Sequence, residues 1–211
     1  MFRHSIALAL CLAAPSAFAA MADDPTRIVP DTSYRIIVDT DDRPEGPQTI
    51  NGCELKPGGS CPGVDLSHQD LSGMSLDGID LTGAKLTRVD LHGASLKGAV
   101  LSGADLRGAN LSQSYLQGAT IRDADLTGAD LDYSRMAGID FSGSDMTAAS
   151  LEAVWASKGR FVGTTLVAAN LAEAKFYHAD MADATLGDNL NRFTIWEGVH
   201  MENCTGCPVD W

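Results

Sequence analysis

The chain has 211 residues, with 28 acidic and 15 basic side chains and a formal net charge of −13. This acidic excess argues against a protein that neutralises nucleic-acid phosphates or anionic membrane surfaces by bulk charge. An apolar content of 45% also argues against a disordered acidic chain, which would hold fewer apolar residues.

Residues 1–19 have the pattern of a secretory signal peptide. Arg3 gives a positive start, an apolar run extends from Ile6 to Ala14, and residues 17–19 form the small-x-small sequence Ala-Phe-Ala. The apolar run is shorter than the roughly 20 residues that a transmembrane helix needs. We therefore expect export to the periplasm or the medium after cleavage, and no membrane span in the mature chain.

Residues 20–62 are predicted to form an N-terminal segment and cap. Within it, residues 33–39 (Ser-Tyr-Arg-Ile-Ile-Val-Asp) favour a strand that covers one end of the following domain. Residues 40–50 are rich in Asp, Pro and Gly, which favours a loop.

From about Val64 the sequence repeats every five residues. Of the 28 repeat centres from position 66 to position 201, 26 are bulky and apolar, and the exceptions are Ala156 and Asn191. Ala stands two residues before the centre 13 times, and Gly stands two residues after it 13 times. Asp directly precedes the centre ten times.

A period of five residues excludes a single helix or a flat strand as the element that buries these centres. On a helix each step leaves a rotation of about 140° beyond one turn, so the centres would spread around every face. On a strand an odd step sends successive centres to opposite faces. A chain that turns a corner every five residues can bury them all on one axis, and Gly suits such tight turns.

The repeat resembles the A-D/N-L-x-x pattern of the pentapeptide-repeat family over roughly residues 61–203. Residues 104–108 (Ala-Asp-Leu-Arg-Gly) and 129–131 (Ala-Asp-Leu) match it directly. The resemblance implies an all-β fold, a right-handed quadrilateral β-helix over residues 63–203 with four pentapeptides per coil and about seven coils. The period alone would also permit a triangular coil.

The mature chain keeps four cysteines, which allow three pairings: Cys53, Cys61, Cys204 and Cys207. The resemblance implies a rod about 34 Å long if coils stack at about 4.8 Å. A disulfide joins Cα atoms roughly 4.4–6.8 Å apart, so this rod implies the pairs Cys53–Cys61 and Cys204–Cys207. Export favours their oxidation.

Residues 204–211 are predicted to be a C-terminal cap or tail, with Phe193, Trp196 and Trp211 closing the core nearby. The Cys204-x-x-Cys207 spacing also fits a redox dithiol. That chemistry usually depends on a helix N-terminus that lowers the pKa of a thiol. A structural clasp and a redox site therefore both remain open interpretations.

If four pentapeptides form a coil, residues 20 positions apart lie in columns on the outer surface. One column forms a candidate binding stripe for a peptide, a glycan or an anionic partner: Tyr115, Arg135, Trp155 and Lys175. The alternative is that Trp155 turns inward beside the undersized centre Ala156 and fills the core.

Two other columns are rich in charge. One alternates in sign and favours local stabilisation: Asp140, Arg160, Asp180 and His200. The other stacks carboxylates that would suit a cation or imitate a phosphate backbone: Asp105, Asp125 and Asp145. The alternative for these acids is that they accept backbone hydrogen bonds at the corners of the repeat.

No catalytic constellation, phosphate-binding loop or metal-ligand spacing is present, and no cofactor or metal is expected. The sequence therefore predicts a non-enzymatic exported scaffold that binds a macromolecule, most simply a protein, without direct nucleic-acid binding. The family resemblance also implies an alternative, a DNA mimic that binds a type II topoisomerase, although that target is cytoplasmic. A thiol–disulfide protein that uses Cys204 and Cys207 is the other alternative.

Overall fold

The structure is a computed structural model, and it describes residues 48–208. This range contains strands, bridges and turns, and no helix. The strands are β1 (Gln48–Ile50), β2 (Cys53–Leu55), β3 (Thr165–Val167) and β4 (Thr185–Gly187). The pair β1–β2 is antiparallel and the pair β3–β4 is parallel.

A hairpin opens the described part of the chain. Strands β1 and β2 are joined by Asn51 and Gly52, which both have positive φ, 51° and 78°. Asn-Gly with this geometry is typical of a two-residue hairpin turn. The loop predicted over residues 40–50 is therefore wrong for residues 48–50, and the Asn-Gly pair was the signal for this strand. The signal peptide at 1–19 and the strand predicted at 33–39 lie outside the described residues.

Parallel bridges between residues 20 positions apart define the β-helix. They run from Ser60↔Asp80 to Thr185↔Thr205, and β3 and β4 pair in the same register. An offset of 20 residues equals four five-residue units. A three-sided coil would pair residues three units apart, and no bridge within residues 48–208 has that offset.

Backbone groups are satisfied by the coils on either side. The amide of Leu111 donates to the carbonyl of Asp130 on the next coil at 2.6 Å, and the amide of Asn110 donates to Val89 on the previous coil at 2.9 Å. The same offsets recur along the repeat. Since buried backbone groups need partners, each coil depends on its neighbours for stability.

Every corner of the repeat has a left-handed backbone. The amide of Ala109 donates to the carbonyl of Leu106 at 3.0 Å, and Gly108 between them has φ 62°. Positive φ occurs at all 28 corner positions, although only 13 are Gly. This conformation is uncommon for other residues, so the fold imposes it on side chains such as Tyr133 and Ala153.

The repeat centres form one continuous core. Every centre from Leu66 to Leu186 is buried, together with most of the small residues two positions before them. Trp196 continues this core, as predicted, and its ring stacks on Phe176 with centroids 5.1 Å apart. The prediction for Phe193 is wrong: its side chain is 68% exposed because it occupies a corner position. Trp211 lies outside the described residues.

Large and small core residues compensate one another around Phe161. The ring of Phe161 lies 5.4 Å from that of Phe176, and a Cβ added to Gly159 would lie 2.8 Å from the Phe161 ring. Phe161 thus occupies space that Gly159 leaves open because it has no side chain. Trp155 is 52% exposed, so the interpretation that it fills the core is wrong.

Replacing Ala153 with Gly should raise the free energy of unfolding by about 1 kcal/mol, because Ala153 holds φ 54° and Gly adopts this region without a steric penalty. As a matched control, Ala104→Gly should lower it by about 1 kcal/mol, since Ala104 is a buried inward residue without positive φ. Urea denaturation followed by circular dichroism measures both. Changes of the same sign would contradict this account.

Replacing Ser114 with Ala should leave stability unchanged or raise it by about 1 kcal/mol, because its buried hydroxyl has no hydrogen-bond partner in the described residues. Ser144 is also buried, but its hydroxyl donates to the carbonyl of Ile121 at 2.6 Å. Ser144→Ala should therefore cost about 1–3 kcal/mol. Equal thermal midpoints for the two variants would refute this difference.

Candidate functional site

The column that we call the stripe lies on the outer surface: Tyr115, Arg135, Trp155 and Lys175. Parallel bridges join each of these residues to the next, so they occupy equivalent positions on successive coils. Each directly precedes a buried centre, and the alternation of a strand turns its side chain outward. Tyr115 and Trp155 are 36% and 52% exposed. The structure therefore brings all four predicted residues together.

Cations of the stripe lie against its aromatic rings. The guanidinium carbon of Arg135 is 5.6 Å from the centroid of the Tyr115 ring, and the amine of Lys175 is 4.9 Å from that of Trp155. Lys97 adds a second cation 5.2 Å from Tyr115. These separations are within the roughly 6 Å that favours a cation–π interaction. The long cationic side chains are thereby held near the rings.

Tyr133 adds a further exposed aromatic side chain beside the stripe. It is 58% exposed, and with Gln113, Tyr115 and Arg135 it lines a shallow cleft of about 420 Å³. Its hydroxyl donates to Glu152 at 3.3 Å, and the nearby negative charge of Glu152 raises the pKa of Tyr133. Tyr133 was not predicted because it occupies a corner column, next to the one that the sequence singles out.

The cations of this surface differ from most others in their partners. Within residues 48–208, Lys97, Arg135 and Lys175 form no ion pair with a carboxylate. Among the other described bases, five form ion pairs with neighbouring acids, Lys56, Lys85, Arg107, Arg122 and Arg160, whereas Arg88, Lys158 and Arg192 do not. The stripe thus presents cations that no carboxylate neutralises directly.

The aspartates that precede the centres accept backbone hydrogen bonds at the corners. All ten accept a hydrogen bond from the backbone amide two residues later, as Asp125 does from Thr127 at 3.0 Å. The Thr127 hydroxyl donates to the same oxygen at 2.6 Å. Hydrogen bonds from Arg107 hold the pKa of Asp105 at about 2. The interpretation of these acids as corner acceptors is confirmed.

The alternating column from Asp140 to His200 stabilises the surface locally. His200 lies 2.9 Å from a carboxylate oxygen of Asp180, and this hydrogen bond raises the pKa of His200. Burial alone would raise the pKa of Asp140, but hydrogen bonds from Arg122 and Ser142 hold it below its ordinary value. Arg122 was not predicted as a partner of Asp140, because it lies in a neighbouring column.

The four cysteines within residues 48–208 form two disulfides. Cys53 and Cys61 have Cα atoms 5.5 Å apart and are both buried beside the hairpin. Cys204 and Cys207 have Cα atoms 5.8 Å apart and pack against the last core residues. No helix of the described range lies at this pair.

Within residues 48–208, no three His, Cys, Asp or Glu side chains are placed where they would hold a metal ion together. None of this range forms a helix with the length and apolar character needed to cross a membrane.

Together, the bridge register and the corner turns define a β-solenoid built from five-residue units. The chain belongs to the pentapeptide-repeat family: the family model matches residues 61–98, 94–132 and 124–158, with eight copies of the repeat. The predicted family is therefore confirmed.

Several solved pentapeptide-repeat structures are similar to this chain. HetL, involved in heterocyst differentiation regulation in the cyanobacterium Nostoc sp. strain PCC 7120, is 29% identical, with 67% of this chain and 70% of HetL covered and a TM-score of 0.41. A pentapeptide-repeat protein from the thylakoid lumen of Arabidopsis thaliana is 34% identical. The match covers 44% of this chain and 68% of the Arabidopsis protein, with a TM-score of 0.26. The fluoroquinolone resistance protein QnrB1 is 19% identical. The match covers 70% of this chain and 91% of QnrB1, with a TM-score of 0.44. No curated protein sequence matches the chain.

Trp155→Ala should change the free energy of unfolding by less than about 1 kcal/mol, because the side chain is more than half exposed on the outer surface. Phe161→Ala should instead cost about 3–5 kcal/mol, since it removes a fully buried ring from the aromatic core. Chemical denaturation measures both variants. A large loss of stability in Trp155→Ala would restore the core-filling interpretation.

Proposed function

We propose that this protein is an exported, non-enzymatic scaffold that presents the stripe to a protein partner. The observation that carries the proposal is the exposed pair Tyr115 and Trp155, flanked by cations without carboxylate partners. Tyr, Trp and Arg are the residues that contribute most to binding at protein interfaces. Members of this family are generally binding or structural proteins.

The fixed backbone of the stripe residues favours binding. The stripe residues take part in the bridges that join successive coils, so their backbones are fixed before a partner arrives. Preorganisation lowers the entropy lost on association. We propose that the supporting solenoid is right-handed and quadrilateral, with about seven coils over residues 63–203.

Export is supported by two independent features. Residues 1–19 have the signal-peptide pattern, and both cysteine pairs of the mature chain are joined as disulfides. Disulfides persist in oxidising compartments such as the bacterial periplasm and the medium. In this proposal residues 20–62 and 204–211 form the terminal caps, and each carries at least one disulfide cysteine.

The other two functions have weaker support. The ten corner aspartates each accept a backbone hydrogen bond, as Asp145 does from Thr147. Their acidity is therefore explained by the fold without DNA mimicry. A dithiol site at Cys204 and Cys207 would need a feature that activates a thiol, and the pair instead packs against the end of the core.

Capture experiments test the proposed binding surface. Immobilised mature protein should retain one or more exported proteins of its own organism, and Arg135→Glu combined with Trp155→Ala should lose them. The matched control combines Arg192→Glu with Phe193→Ala, because Arg192 also lies over an exposed ring, at 4.7 Å. Partners that are kept equally by both double variants, or that are found only among cytoplasmic proteins, would contradict the proposal.

A further inference from the structure

We propose that the stripe binds an acidic, proline-rich segment in the polyproline II conformation. The inference rests on the proposed function and names the partner chemistry of the same surface. Three observations carry it: the spacing of the rings along the solenoid, the cleft beside Tyr115, and the cations that lack carboxylate partners.

The spacing of the rings selects the conformation of the ligand. The backbone positions of Tyr115 and Trp155 are two coils apart, which is about 9.6 Å at the usual separation of paired strands, and their rings project from the same column. A polyproline II helix brings an equivalent residue to the same face every three residues, about 9.3 Å along its axis. The two periods differ by only about 0.3 Å.

Other ligand conformations fit this spacing less well. The side chains on one face of an extended strand are about 6.8 Å apart. If one of them contacts Tyr115, the next lies short of Trp155. Two turns of an α-helix advance about 10.8 Å, which exceeds the ring spacing by more than 1 Å. Of these three conformations, polyproline II alone places successive ligand residues on Tyr115 and Trp155.

The cleft beside Tyr115 has the chemistry that a proline residue requires. Two aromatic side chains, Tyr115 and Tyr133, line it together with Arg135 and Gln113. Aromatic-lined grooves are the usual docking surface for polyproline II segments, which lose little entropy because they are already extended. Gln113 and Arg135 supply donors for the carbonyl groups, which such a segment leaves unpaired.

The charges of the stripe require acidic residues between the prolines. Arg135 lies one coil beyond Tyr115, and Lys175 lies one coil beyond Trp155. Cations therefore alternate with the rings along the axis. Three acids lie near Tyr133: Glu152, Asp132 and Glu173. Glu152 accepts hydrogen bonds from Tyr133 and Asn170, and Asp132 accepts them from the Ser150 hydroxyl and the Glu152 amide. A repeat of Pro-Glu-x matches this alternation.

A synthetic peptide of about twelve residues, built from Pro-Glu-Ala triplets, is the direct probe. Isothermal titration calorimetry with the mature protein should detect its binding. A Gly-Glu-Ala peptide of the same length and charge should bind about tenfold more weakly, because it is not preorganised. A Pro-Lys-Ala peptide should not bind detectably, because its charges oppose the cations of the stripe.

Variants of the protein locate the binding. Trp155→Ala should weaken the Pro-Glu-Ala complex about tenfold, and Arg135→Glu should weaken it at least as much. Phe193→Ala and Arg192→Glu alter an exposed ring and its cation outside the stripe and should leave the affinity unchanged. Folding of each variant is checked by circular dichroism before titration.

Several results would overturn the inference. Equal affinity for the Gly-Glu-Ala and Pro-Glu-Ala peptides would exclude polyproline II recognition, and preference for a β-linked oligosaccharide would identify a glycan site instead. If no peptide binds while the captured partner still depends on Arg135 and Trp155, this inference fails and the proposed function stands. If neither peptide nor partner depends on the stripe, both fail.

Discussion

The left-handed corner is the constraint on which the rest of this structure depends. A corner after every centre turns the chain back toward one axis, so that a leucine every five residues reaches the same core. The corner also aligns the amides on either side of it with carbonyls 19 or 21 residues away on neighbouring coils, as for Leu111 with Asp130 and Asn110 with Val89. Gly relieves the strain at 13 corners, and the continuous ladder of bridges holds the others in place.

The same geometry separates the residues that stabilise the fold from those available for function. Most inward positions hold small or apolar side chains, and the aspartate before a centre accepts a hydrogen bond at its corner. The remaining outward positions can vary without disturbing the core. An aromatic or cationic residue there, such as Trp155 or Lys175, contributes little to the solenoid itself. Such residues are therefore more informative about binding than the net charge of −13.

The sequence predicted those features that depend on one residue and its place in the repeat. Burial of the centres follows from the period, and the use of Asp125 follows from the ability of Asp to accept a backbone hydrogen bond at a turn. The alignment of Tyr115 with Arg135 follows once the family resemblance adds four units per coil. Features that depend on neighbouring columns or on volume were missed. Tyr133 and Arg122 contact residues of neighbouring columns, and the position of the Phe161 ring depends on Gly159 being small.

The central claim is that the stripe contacts an exported protein, and photo-cross-linking in living cells tests it most directly. A photo-reactive benzoyl-phenylalanine is placed at position 155, and in a second strain at position 193, which is at least as exposed. The account predicts a cross-link from position 155 to a discrete exported protein that is absent from position 193. The same cross-links from both positions, or a product from position 155 with a cytoplasmic protein alone, would contradict it.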